Sequence, residues 1–377
     1  MRDSRSMALR VLIVPDKFKG TLTAQKAAAA IARGWSSVRA ADTVELLPMS
    51  DGGDGFGIVL GALLKAETRV TKTVDAAHRP ISAEWWWEPK SATAIIEAAR
   101  ANGLAQLPRG KFHPFELDTF GLGAVMQDAA SAGAKRCVMG IGGSATNDGG
   151  FGVARALGWE FLNAKSAALD RWTDLHSLTQ IKIPQREKWF EDFSVAVDVN
   201  NPMLGATGCT RVYGPQKGLK ETDFEFSERC LGTLAGLAEQ ELHLKTAATP
   251  GAGAAGGLGF GLATFFGAKL EPGFALFAQL ADLHVRLAAA DLIITGEGAI
   301  DEQTLMGKGV GELAMLCRQL GKPCIGLAGV VTDEPKARKF FYDVRAIVSM
   351  TSADDARANA ARWLEEIARL GASSLVL

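Results

Sequence analysis

The chain is short of the features that mark several large protein classes. Its five cysteines, Cys137, Cys209, Cys230, Cys317 and Cys324, are odd in number. None forms a C-x-x-C pair or stands near a histidine at ligand spacing, which argues against a disulfide framework or zinc site and for a reduced, cytoplasmic setting. His78, His113, His176, His243 and His284 show no metal spacing, so no catalytic histidine is assigned, and the absence of a G-x-S-x-G elbow disfavours a hydrolase triad. A net charge of −1 leaves no electrostatic footprint for nucleic acid or an acidic membrane, so the expected partner is a small molecule. No apolar run approaches the roughly 20 residues of a membrane helix. The start, with Arg2, Arg5 and Arg10, breaks at Pro15-Asp16 without a cleavage site, and Met7 is an alternative start. There is no internal repeat and no low-complexity linker.

Glycine is what the chain has in excess: 42 in 377 residues, about 11% against a usual ~7%. With 47% apolar and 22% charged residues, the rest is ordinary for a globular protein of two or three domains. "RVLIVPD" reads as a buried strand, followed by a helix over "TLTAQKAAAAIARGW" with Thr21 or Thr23 as N-cap. The same grammar recurs at "VELLPM", "RCVMGIGG" and "DLIITGEG", each running into a loop of glycines and acids. Continuous apolar strands predict parallel sheets covered on both faces. "ISAEWWWEP" alternates, as a half-exposed or mixed-sheet strand does, and predicts a second architecture. The expected organisation is one domain of residues 1–70 with 290–377 and an inserted one of 71–289. Whether the protein is a monomer or a homodimer is left open.

Loops at the carboxyl ends of parallel strands are where open α/β sheets bind ligands. In "DGGDG", Asp51 and Asp54 are either acids of an ordinary turn or a pair for magnesium or a substrate hydroxyl. In "GIGGSATNDGG", Ser144, Thr146, Asn147 and Asp148 with bare N–H groups read as an anion cradle. "GAGAAGG" holds a formal G-x-G-x-x-G at Gly251, Gly253 and Gly256, but no strand precedes it and Pro250 abuts it. A Walker loop fails too, since Gly307-Lys308 is followed by Gly309. "TGEGAIDEQTLMGKG" sets Glu297 and Asp301 in a loop with Lys308 beyond, suited to a metal-bound polyphosphate or to a helix cap. Asp198 ends "SVAV", a position also open to a cap or turn residue.

Seven motifs in order, "PDKFKGTLTAQKAAAAIARG", "PMSDGGDG", "GIGGSATNDGG", "DVNNPMLGATG", "YGPQKG", "PGAGAAGGLGFG" and "ADLIITGEGAIDEQTLMGKG", resemble the bacterial glycerate kinases. The resemblance implies phosphorylation of D-glycerate by ATP with Mg2+, most commonly at the 2-hydroxyl. It also implies two dissimilar α/β domains with an active-site cleft between them, one flavodoxin/Rossmann-like with a parallel sheet, the other inserted with a mixed sheet. "HRP", "ANGL" and "GKGVGELA" depart from the family pattern and bear on fine specificity. On this reading Gly142, Gly143, Ser144, Thr146, Asn147 and Asp148, with Thr295, Gly296, Glu297 and Gly298, cradle the nucleotide. Asp51, Asp198, Glu297 and Asp301 are candidate magnesium ligands, and Lys19, Asp54, Arg79 and Arg109 candidate glycerate contacts. Lys17 neutralises developing charge, and Asp198, then Asp51, is the acceptor of the hydroxyl proton. Competing readings are a kinase of another small hydroxy acid, an NAD-linked dehydrogenase, and a non-catalytic sensor of nucleotides or organic acids.

Overall fold

The computed structural model describes residues 8–375 except 187 and 307, so Arg2, Arg5, Met7 and Gly307 lie outside the described residues. The chain divides into two compact units, Met1–Ser50 with Phe274–Leu377, and Asp51–Gly273. The sequence reading set these divisions later, at residues 70 and 290, and side-chain packing explains the difference. The helix Phe56–Leu63 lies on the Trp86 ring, so it belongs with the second unit. Arg286, on the helix Leu283–Ala289, pairs with Glu45 of the first.

Thirteen strands are named in chain order. In the first unit β1 (Arg10–Pro15), β2 (Thr43–Leu46), β11 (Leu292–Ile300), β12 (Cys324–Val331) and β13 (Asp343–Ala346) form one parallel sheet. Its order is β13-β12-β11-β1-β2. Counted within the unit this is 2-1-3-4-5, the flavodoxin-like winding, with its switch point between β1 and β11. The helix Ala24–Ser36 is capped by Thr23, which accepts from the Lys26 N–H at 3.2 Å. It buries alanines, Ile31 and Trp35 in the core shared with Leu364 and Ile367 of the helix Ala360–Ser374.

The second unit is built on β3 (Glu67–Val74), β4 (Pro80–Glu88), β5 (Thr93–Glu97), β6 (Arg136–Gly140), β9 (Asp192–Val197) and β10 (Lys269–Pro272), in the order β10-β9-β6-β5-β4-β3. β5, β6, β9 and β10 run parallel, and β4 and β3 antiparallel. The hairpin β7 (Glu160–Asn163) and β8 (Leu178–Lys182) stands apart. β4 is a mixed-sheet strand as expected, but Trp85, Trp86 and Trp87 are all buried: two face the large core, while Trp86 is covered by the helix Phe56–Leu63. Among the described residues no helix is long and apolar enough to cross a membrane.

Candidate functional site

In the first unit the candidate residues gather at the switch point. Pro15 pairs with Gly296, and the Asp16 N–H donates to the Gly296 carbonyl at 2.8 Å. The turn that follows closes on itself through Phe18 and Leu22 (2.9 Å), burying Phe18 and leaving Lys17 half-buried and Lys19 exposed. Gly298 lies beside the Phe18–Lys19 backbone. β11 is longer than the apolar "LIIT" suggested: Glu297 is a strand residue paired with Ala328, not a loop residue. Thr295 is buried, and its hydroxyl donates to the Val14 carbonyl at 2.6 Å, a strand-to-strand tie. Glu297 Oε1 accepts the Thr304 hydroxyl at 2.7 Å. Asp301 caps the helix Glu302–Leu305, accepting from the N–H groups of Gln303 (2.9 Å) and Thr304 (3.2 Å), so the helix-cap reading describes its local bonding.

In the second unit the parallel strands β5, β6, β9 and β10 bring their carboxyl ends to one side of the sheet, and the "DGGDG" loop runs across them. Gly52 sits against Ala196, near the end of β9, and the Asp51 carbonyl against Gly273, just past β10. The Gly142 N–H donates to the Gly52 carbonyl at 3.1 Å, and a Cβ on Gly142 would stand 2.7 Å from Gly53 Cα. On Gly143 a Cβ would collide with the Asp54 carboxylate. The glycines after β6 are therefore bare because another loop lies against them. Glu97, the buried last residue of β5, accepts from the N–H groups of Gly55 (3.1 Å) and Gly57 (3.0 Å), pinning the loop where Asp51 is half-buried and Asp54 exposed. Asp198 is exposed directly after β9. Burial, with the Asp198 charge nearby, pushes the Tyr213 phenol up to about 12.

The cradle expected over residues 142–148 is divided. Gly142 and Gly143 are accessible, whereas Ser144 is buried and Thr146, Asn147 and Asp148 have no exposed surface. Asp148 Oδ2 accepts from the Thr119 N–H (2.9 Å), the Thr119 hydroxyl (2.7 Å) and the Gly152 N–H (2.9 Å), and Oδ1 from the Gly150 N–H (3.2 Å). Burial, then the Asp118 charge, raises its pKa against these bonds. The amides of Ala145, Thr146 and Gly149 also donate inside the protein, to the Asn102 carbonyl, the Ser144 hydroxyl and the Gly256 carbonyl. "GAGAAGG" is the packing partner of this loop. Ala255, Gly256 and Gly257 turn in the left-handed region, and a Cβ on Gly256 would collide with the Thr146 carbonyl. The structure thus makes Thr146, Asn147 and Asp148 part of a buried knot and leaves Gly142–Gly143 as its accessible edge.

Arg79 binds Asp75 through Nε at 2.7 Å and reaches the Gln106 carbonyl at 3.2 Å, while Arg109 is exposed in the following turn. Two residues near the site were not singled out from sequence. Glu97 was legible by the rule that flagged Asp198, an acid closing an apolar strand. Lys217, buried on the helix Cys209–Lys217, donates to the Thr146 carbonyl at 2.6 Å, and a polar helix gives no sequence sign of that burial. Among the described residues no group of three or more His, Cys, Asp or Glu is gathered for a metal. Magnesium takes only one or two protein carboxylates beside phosphate and water, which the acids Asp51 and Asp198, two hard oxygen donors at the strand ends, suit.

Comparison with known proteins agrees with the fold. The model of the glycerate kinase family matches residues 11–375. The chain is 36% identical over 367 residues to a glycerate kinase of Halalkalibacterium halodurans, covering 95% of this chain and 96% of the relative. It is 34% identical over 329 residues to the glycerate 2-kinase of Escherichia coli K12, covering 86% of each. The crystal structure of a "putative glycerate kinase 2" from Salmonella typhimurium LT2 superposes with a TM-score of 0.83 at 31% identity, over 97% of this chain and 98% of that one. With the family model matched over residues 11–375, a parallel flavodoxin-like sheet and a separate mixed sheet, the chain belongs to the glycerate kinase family.

Proposed function

We propose that this enzyme transfers the γ-phosphoryl group of ATP to the 2-hydroxyl of D-glycerate, giving 2-phosphoglycerate and ADP, in the cytoplasm. The observation that carries the reading is that the loop of Asp51 and Asp54 lies across the carboxyl ends of β6, β9 and β10, with Asp198 directly after β9 and the accessible Gly142–Gly143 edge beside Asp54. The 34% identity to a glycerate 2-kinase supports the choice of hydroxyl. The five cysteines are free and buried, in keeping with a reducing compartment.

Asp51 and Asp198 would hold magnesium, which when bound neutralises phosphate charge and aligns the transferred group. The Gly142–Gly143 backbone, accessible beside the Asp54 carboxylate, is the segment the phosphates would approach. Lys17 and Lys19, at the switch point of the first unit, supply positive charge for the equatorial oxygens. Asp198 accepts the proton of the 2-hydroxyl as its oxygen bonds to phosphorus and the phosphorus–oxygen bond to ADP breaks. Arg109 offers its guanidinium to the glycerate carboxylate, while Arg79, committed to Asp75, has the smaller share.

Phosphorus NMR of the product tests the reading. The expected signal is 2-phosphoglycerate; 3-phosphoglycerate would move the acceptor to the other hydroxyl, and no phosphorylated acid would end the proposal. Asp198→Asn is expected to lower kcat about 100-fold or more, and near-normal turnover would remove Asp198 as the base.

A further inference from the structure

The helix Cys209–Lys217 holds the loop after β6 at two successive residues. Lys217 Nζ donates to the Thr146 carbonyl at 2.6 Å, and the Asn147 side-chain amide donates to Thr210 Oγ1 at 3.1 Å. Thr210 and Lys217 are seven residues apart, two helical turns, and so share a face. Both are buried, Thr210 fully and Lys217 at 7% exposure. Burying an ammonium group is costly unless it is paired, and here the partners are a backbone carbonyl and, through its charge, the Asp148 carboxylate. A lysine kept in such a place for packing alone has cheaper substitutes, such as methionine. What this lysine does is draw the Thr146 carbonyl oxygen inward and set a positive charge beneath a loop whose other end, Gly142–Gly143, is open.

We propose that Lys217, assisted by Thr210, is a positioning residue that fixes the loop after β6 for binding the phosphate groups of the nucleotide. This rests on the kinase reading above. The geometry supplies two effects: the dipole of the Thr146 peptide is turned so that its negative end is satisfied inside the protein, and the charge on Nζ favours an anion at the open edge. The groups facing Nζ are the Asp148 carboxylate and the Cys209 thiol. Glu228, on the long helix Glu221–Leu242, bears on Cys209 in turn, and the helix Ala254–Phe266 brings no titratable side chain.

Burial pushes the Lys217 ammonium down from its ordinary 10.5 to about 8. Above pH 8 the folded chain has released this proton and the unfolded chain holds it up to about 10.5. The contribution of this group to stability therefore rises with pH through that window. Its contribution to binding falls over the same range. A solely structural lysine would not separate the two.

The test measures the Kd of a non-hydrolysable ATP analogue by calorimetry, kcat and KM for both substrates, and Tm, from pH 6.5 to 9.5. Wild type is compared with Lys217→Met, Lys217→Arg, Thr210→Val and Thr210→Ser. Loss of one charge-assisted bond predicts an analogue Kd about 10- to 100-fold weaker in Lys217→Met. Partial recovery is expected in Lys217→Arg, together with a wild-type Kd that weakens above pH 8 without a matching fall in Tm. An unchanged Kd in folded Lys217→Met, or a flat wild-type profile, overturns the proposal. Should Lys217→Met fail to fold, Thr210→Val decides: a several-fold weaker Kd rescued by Thr210→Ser supports the clamp, and an unchanged Kd overturns it. Analogue binding that weakens in the variants of a protein that does not phosphorylate glycerate would keep this inference and remove the substrate assignment.

Discussion

The two units place their candidate residues at the same feature, the carboxyl end of parallel strands, yet furnish it differently. In the first the turn after β1 is bonded mostly to itself and sends lysines outward, Lys17 half-buried and Lys19 exposed. In the second, three glycine-rich segments press on one another, so that most of what resembles a cradle is interior and the accessible remainder is acidic. The same residue type thus serves different ends. Glycine at a strand-end loop marks close backbone approach, but the approaching group is as readily another loop as a ligand.

The largest effect that sharpens this contrast is expected at Gly256. Gly256→Ala puts a Cβ into the Thr146 carbonyl at a φ of +72°, whereas Gly20→Ala in the first unit meets nothing within 4 Å at a φ of +80°. The first should lose about 3 kcal/mol or more, from overpacking added to strain, and the second about 1 kcal/mol from strain alone. Urea unfolding of the two variants checks this, and equal losses would break the comparison.

Next is Lys17→Ala, expected to lower kcat about 100-fold while Tm stays within about 2 °C, because a half-buried lysine at an open turn contributes charge rather than packing. A melt shifted as far as that of Gly256→Ala, with proportionate activity, would make the first site structural as well. The smallest change is Asp301→Ala, which removes the cap of the helix Glu302–Leu305 and should cost about 1 kcal/mol. A loss of magnesium affinity without that cost would return Asp301 to the metal.

Much of the fold was legible. Continuous apolar runs such as "RVLIV" predicted parallel strands, and the capped alanine-rich helix after β1 formed as expected, since short-range pattern and propensity agree there. Three tryptophans in a row concealed that both faces of β4 are covered, because period-2 alternation cannot show a helix arriving from elsewhere in the chain. Glu297 looked like a loop residue because glycines flank it, and its strand pairing depends on β12 lying alongside. Thr146, Asn147 and Asp148 have the composition of an anion site, and only the packing of distant segments around them, Gly256, Thr119, Thr210 and Lys217, shows that they are enclosed.

The sequence by itself determined the element types, the parallel first sheet and the family, because hydrophobic period, capping residues and motif order are properties of neighbours along the chain. Tertiary structure alone decided which polar groups face solvent, since burial of Asp148 or Lys217 depends on segments distant in sequence filling the space around them. A carboxylate with four donors and one at an open strand end are the same letter, and their chemistry differs by what surrounds them.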